Sequence, residues 1–382
     1  MKLQALALGA ATLLWPLTGS LAQEIKLGAT LSTTGPAASL GIPMKNTLQI
    51  LPKEIDGVPV SWTILDDGSD TTQARRNAEK LASENVDLII GGNTTPTSLA
   101  TVEIAGRTQT PVLAIAPSPG IIEPVEGAKT WVFKVPLGER ELAERTLASM
   151  SQHGVKTVGF IGFNDALGEG WLKEFERFAP RFGITLSAVE KFARTDTSVV
   201  AQALKVLATR PDAVFVGATG TPAVLPTAQL RERGYKGLIY QASGVVNNDF
   251  LRVGGKNVEG VLIAAGPLLV AGALPDSNPS KAASLEFVKL YEATYGPGSA
   301  ALFAGNAYDA WLLIRNAVSS ALKEAKPGTP EFRAALRTAL EKTNGLAVTN
   351  GVVTFGPSNH GLFPPGTPVM LTVRNGTWAL AN

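Results

Sequence analysis

Strand-like and helix-like stretches alternate along nearly the whole chain, and this alternation predicts an α/β fold of parallel, doubly wound sheets. The length, 382 residues, exceeds one ordinary core and suits two domains. Two successive strand-like runs also end in loops of small, hydroxyl-bearing residues, and an open α/β sheet takes its ligand at such strand ends.

Met1 to Ala22 has the form of a secretory leader. Lys2 gives the positive start, Leu3 to Leu17 is mostly apolar, and Ser20-Leu21-Ala22 is a small-x-small cleavage site. The apolar stretch is short for a membrane span and contains Pro16. The expectation is a signal peptide cut after Ala22. With no cysteine in the chain there are no disulfides, no thiol nucleophile and no lipid-anchoring cysteine, so export would deliver a soluble periplasmic protein. A formal charge of +2 gives no argument for nucleic acid or a membrane surface.

The mature chain opens on Ile25 to Leu31, ending in Ser32-Thr33-Thr34-Gly35-Pro36, and helical spacing follows from Gly41 to Leu51. Val60 to Leu65 reads as a strand stopping at Asp66-Asp67-Gly68-Ser69-Asp70, with Ser69 or Asp70 capping a helix that buries Ala74, Ala78 and Leu81. Val86 to Ile90 and Val112 to Ile115 are the next strands. The first opens into Gly91-Gly92-Asn93-Thr94-Thr95-Pro96, with Thr97 or Ser98 expected to cap the following helix; the second opens into Ala116-Pro117-Ser118-Pro119-Gly120. Hydroxyls, backbone N–H groups and a helix N-terminus together suit a small anion without a positive side chain.

Trp131 to Glu139 reads as a crossing into a second lobe, after which the alternation restarts. Thr157 to Ile161, Ile184 to Val189, Ala213 to Val216, Leu238 to Tyr240 and Gly260 to Gly266 are strands. Their exits include Asn164-Asp165, Arg194-Thr195-Asp196, Thr219-Gly220 and Ala242-Ser243. Pro267 to Pro279 carries the turn residues of a return crossing. Three helices follow, over Ala282 to Thr294, Ala301 to Leu322 and Glu331 to Lys342. The tail has strands at Val352 to Phe355 and Val369 to Val373, and a hairpin turn at Asn375-Gly376.

The pattern offers little to an enzyme. Of the two histidines, His153 closes a helix, where a cation suits the dipole, and His360 is expected to be exposed in the tail. No His/Cys/carboxylate cluster has metal-ligand spacing, and no nucleophile elbow, Walker loop or G-x-G-x-x-G is present, so no cofactor is expected. Asp66 and Asp67, adjacent on a strand end, suit turn and cap chemistry better than a catalytic pair.

The order of these pieces resembles the type I periplasmic solute-binding proteins, in the branch of the leucine/isoleucine/valine-binding protein of ABC importers. The resemblance covers the mature chain and rests on Ser32-Thr33-Thr34-Gly35-Pro36, Asp66-Asp67 before Thr72-Gln73-Ala74, Ile89-Ile90-Gly91 and Ala116-Pro117-Ser118. It continues in Gly168-Glu169-Gly170, Leu230-Arg231-Glu232-Arg233-Gly234, Val258-Glu259-Gly260 and Tyr308-Asp309-Ala310. It implies two α/β lobes joined by three hinge crossings and closing on a ligand, with 23–138 and 269–348 in the first lobe and 139–268 and 349–382 in the second. It also implies an inner-membrane ABC permease as partner, a monomer, and no catalysis.

Carried over by position, the resemblance puts a carboxylate cradle on Thr95, Ser118 and Gly120, with Leu40, Leu167, Thr219 and Phe303 lining the cleft. Where amino-acid binders of the family have an acid for the ligand ammonium, this chain has Ser243, and Leu40 and Leu167 replace two tyrosines. The expected ligand is therefore a small organic carboxylate without an α-ammonium, such as an aromatic acid. A branched-chain amino-acid binder, with Asp165 as the acid, stays open as the alternative, as does a periplasmic sensor subunit.

Overall fold

The computed structural model describes residues 24–361, 363–364 and 366–381; the expected signal peptide lies outside them. Two sheets form the frame. The first runs β2-β3-β1-β4-β5-β6, from β1 (Ile25–Leu31), β2 (Glu54–Ile55), β3 (Val58–Asp66), β4 (Leu88–Gly91), β5 (Val112–Ala114) and β6 (Val132–Lys134). The second runs β15-β14-β11-β10-β9-β7-β8. Its strands are β7 (Thr157–Phe163), β8 (Thr185–Phe192), β9 (Ala213–Gly217), β10 (Leu238–Gln241), β11 (Leu262–Ala265), β14 (Val369–Arg374) and β15 (Thr377–Leu380). A separate hairpin pairs β12 (Leu346–Val348) with β13 (Gly351–Val353).

Each sheet is parallel in its centre, with antiparallel strands only at one edge: β2 in the first, β14 and β15 in the second. The short strands β4, β5, β9 and β11 are buried at every position, as a sheet covered by helices on both faces requires. The covering helices are α1 (Ala38–Ile50), α2 (Thr71–Ser83), α3 (Thr95–Thr108), α4 (Glu139–Gln152), α5 (Ala166–Phe178), α6 (Val200–Ala208), α7 (Val224–Glu232), α8 (Asn248–Gly254), α9 (Ser280–Tyr295), α10 (Leu302–Ala321) and α11 (Pro330–Glu341). Strand order reverses beside β1 in the first sheet and beside β7 in the second, so both lobes put a topological switch point at their strand C-termini.

Two local expectations are corrected. The cap of α3 is Thr94, whose hydroxyl accepts from the Thr97 N–H; Thr97 returns the bond to the Thr94 N–H in a capping box, so the helix starts earlier than its apolar spacing suggests. His360 is fully buried rather than exposed. Its ring stacks on Phe133 with centroids 4.0 Å apart, and Nδ1 lies 2.8 Å from the Val132 carbonyl. The reason is tertiary: Lys134 N–H donates to the His360 carbonyl at 2.7 Å, so this part of the tail lies along β6 before the chain joins the second sheet. At the Asn375-Gly376 turn both φ values are positive, +53° and +70°, as a type I′ hairpin demands.

Candidate functional site

The strand exits of the two lobes face one another across a narrow cavity between them. The jaw is shut around it. Gly220 of the second lobe lies against Ser39 and Pro36 of the first, and α3 packs on α5. Gly220 has φ +66°, and a Cβ there would come within 3.0 Å of the Ser39 hydroxyl, so this lobe contact needs glycine.

From the first lobe, the exit of β4 turns sharply at Gly92 and brings in Asn93, Thr94 and Thr95. Asn93 Oδ1 accepts from the Ser32 N–H at 2.7 Å, which pins the amide and leaves Nδ2 buried without a partner. Thr95, the first residue of α3, is fully buried, and its hydroxyl also lacks a partner. The exit of β5 adds Ile115 and Pro117.

The second lobe builds its side on an ion pair. Asp165 caps α5, its Oδ1 accepting from the Leu167 and Gly168 N–H groups at 2.9 and 3.3 Å. Its Oδ2 accepts from Arg194 Nε at 2.6 Å. The guanidinium lies 4.2 Å over the Phe163 ring, and Nη1 is 3.4 Å from the Thr219 hydroxyl. Arg194 is thus held on three sides, and Nη2, buried, has no partner. Beside it the Trp171 indole is 1% exposed, and its Nε1 is unpartnered too. Gly168 lets α5 start this close to β7, since a Cβ would overlap the Phe163 carbonyl.

The remaining wall is apolar: Pro136, Leu137, Leu142, Leu167, Leu302 and Phe303. Asn306 and Asn350 close one end, tied together by a 2.8 Å bond from Asn350 Nδ2 to Asn306 Oδ1. Asp309 behind them accepts from the backbone and side chains of Thr349 and Asn350, and burial pushes its carboxyl up to about 6.

Of the sequence-derived residues, Thr95, Leu167, Thr219, Ser243 and Phe303 meet at this cavity. The other four are not among its lining residues. Leu40, on the buried face of α1, is 1% exposed. Ser118 is buried and faces Glu139 behind the cleft, Gly120 is exposed on its loop, and Asp165 stands behind Arg194. Sequence reasoning missed Asn93, Trp171 and, above all, Arg194. The sequence predicts the exit after β8 but an uncharged cradle; the Arg194 cation reaches the cleft through Asp165 and Phe163, which the neighbouring strand exit supplies. Asp66 and Asp67 serve the turn, accepting from Thr33, Thr34 and Gly68 and from Ser32 and Ser69.

Among the described residues lining the cleft, Arg194 alone is charged, and the unpartnered buried atoms are Asn93 Nδ2, Thr95 Oγ1, Trp171 Nε1 and Arg194 Nη2. Three can only donate and the fourth can do either. Two lobes shut on a cleft of this kind define a class of ligand-binding receptor. The chain belongs to the periplasmic binding protein family, whose model matches residues 24–373. A solved extracellular ligand-binding receptor from Rhodopseudomonas palustris HaA2 is 43% identical, covers 94% of this chain and 99% of its own, and superposes with a TM-score of 0.91. Leu/Ile/Val-binding protein homolog 3 of Brucella melitensis biotype 1 is 22% identical over 342 residues, covering 87% of each chain. A solute-binding protein of an ABC transporter from R. palustris, solved in complex with benzoate, shares the fold with a TM-score of 0.80 at 19% identity, over 94% of this chain and 96% of that one. Among the described residues no helix is long and apolar enough to cross a membrane.

Proposed function

We propose that this receptor is the periplasmic substrate-binding component of an ABC importer and takes a small organic monocarboxylate without an α-ammonium. The observation that carries the reading is the census of unpartnered atoms at the cleft: donors, a guanidinium among them, and no carboxylate. A carboxylate can accept from all of them, and a charge-assisted bond contributes about 1.5–3 kcal/mol. An ammonium there finds no acid, and burying it unpaired costs several kcal/mol. Because Arg194 is neutralised by Asp165, the site suits one negative charge rather than two. Thr95, Asn93 and Arg194 hold the carboxylate in this reading, while Leu167, Phe303 and Trp171 pack the apolar body, with Thr219 and Ser243 nearby. A structural neighbour of the same fold, solved with benzoate, takes a ligand of this kind.

The second reading, a branched-chain amino-acid binder, is favoured by the name of the Brucella relative. It needs Asp165 as the ammonium's partner, and both oxygens of Asp165 are already engaged. A thermal-shift panel on mature protein, unfolded and refolded to strip bound ligand, separates the two. A ligand at a hundredfold its Kd adds about 2.7 kcal/mol of stability. Benzoate-type and aliphatic monocarboxylates should raise Tm and leucine should not; a rise with leucine alone rejects the proposal.

A further inference from the structure

Behind the cleft, at the first crossing between the lobes, lies a buried ionisable cluster for which ligand binding has no use. Glu139 opens α4 straight after the crossing, is fully buried, and has no hydrogen-bond partner on either carboxyl oxygen. From the first lobe the Ser118 hydroxyl and the Lys134 ammonium face it. Lys134 is already committed to the Pro136 carbonyl at 2.8 Å and also faces Glu141. From the second lobe comes Glu174 on α5, 3% exposed, with one carboxyl oxygen that makes no hydrogen bond and is met only by the Arg177 guanidinium at 3.8 Å, while Arg140 and Lys173 face the same carboxyl. Asp165 faces the cluster too, but its charge is met by Arg194, and Arg140 is turned to Glu123 at 2.9 Å. The α5 backbone seals the space, since a Cβ at Gly170 would overlap the Glu139 carboxyl.

Two carboxyls thus share a dry space with one ammonium that donates elsewhere. Among the described residues no group of three or more His, Cys, Asp or Glu is placed to hold a metal ion. Burial first, and the Glu174 carboxylate second, push the Glu139 carboxyl well above the usual carboxylate range. We infer that Glu139 is a proton-binding site that fills as the jaw shuts: the closed form carries a proton there, and opening, which parts it from Ser118 and Lys134 and admits water, releases it. The proton then favours closure most at low pH. That advantage is lost as pH rises from the ordinary carboxylate range through the closed-form value, by up to about tenfold in the closed-to-open ratio per pH unit.

The chain has no cysteine, so Ile42→Cys on α1 and Leu204→Cys on α6, both exposed and one on each lobe, accept a dye pair specifically. Energy transfer in the ligand-free protein should report a closed-to-open ratio that falls as pH rises above the ordinary carboxylate range. Glu139→Gln, which keeps the neutral form, should hold the low-pH ratio throughout. Glu174→Gln removes the repelling charge and should move the fall to lower pH, which serves as the test even if Glu139→Gln does not fold. A ratio independent of pH, a Glu139→Gln protein that titrates like the parent, or an unmoved midpoint in Glu174→Gln overturns the inference. No ligand enters this experiment, so its outcome is separate from that of the carboxylate reading.

Discussion

The two lobes reach the same cavity by different means. The first lobe offers uncharged donors set by local geometry: the Gly92 turn, the Thr94 cap and the start of α3 fix Asn93 and Thr95 within a few residues of one another. The second lobe offers a guanidinium fixed at a distance, with Asp165 and Arg194 29 positions apart in the chain. The contrast teaches that a site made of turns is prearranged by its own segment, whereas a site made of an ion pair exists only once β7 and β8 lie side by side. In the proposed carboxylate reading the first lobe would orient the ligand and the second would supply most of the attraction.

That division is open to direct attack. Arg194→Ala should have the largest effect, weakening binding of a benzoate-type acid by about a hundredfold or more in calorimetric titration, since it removes the one charge and strands Asp165. A loss smaller than that of Thr95→Ala would reverse the roles of the lobes. Next comes a region between them. Asp309 binds a proton more tightly when folded, so its contribution is greatest below the unfolded value near 3.8 and is lost as pH rises to about 6. Relative to Asp309→Asn, denaturant stability should therefore decline across that interval by at most about 3 kcal/mol and stay flat above it. A steady rise with pH would contradict the assignment.

Thr95→Ala should cost about tenfold in affinity, the value of one hydrogen bond to a charged group. Asp165→Asn should cost less, because the neutral amide still supports the guanidinium while the positive charge at the cleft is no longer balanced; abolition of binding would instead favour the amino-acid reading. Trp171→Phe keeps the ring and removes only the N–H, so a loss of a few-fold is expected, read from the same titration. No change would mean that the indole N–H does not meet the ligand.

Much of the frame was legible in the sequence because strand and helix periodicities are local. The alternation, the hairpin at Asn375-Gly376 and the Asp70 cap of α2 all follow from neighbouring residues. The loops that carry Thr95 and Ser243 are legible in the same way as strand exits, whereas a binding role for those two residues is implied only by the family resemblance. Local periodicity could not find Arg194, whose role depends on a ring and a carboxylate from another strand exit. Nor could it see that His360 is covered, since Phe133 and Glu341 reach it from positions far away in the chain. Gly120 and Ser118 show the converse: a loop of the right composition need not turn its hydroxyls toward the cavity.

The central claim is that the cleft takes a carboxylate and refuses the matching amino acid. Calorimetric titration of the refolded protein with 3-phenylpropanoate against phenylalanine, and 4-methylpentanoate against leucine, changes only the ammonium within each pair. The account predicts that the acid binds at least about a hundredfold more tightly than its amino counterpart in whichever pair fits the pocket, the cost of an ammonium without a partner. Tighter binding of phenylalanine or leucine than of the corresponding acid would contradict it.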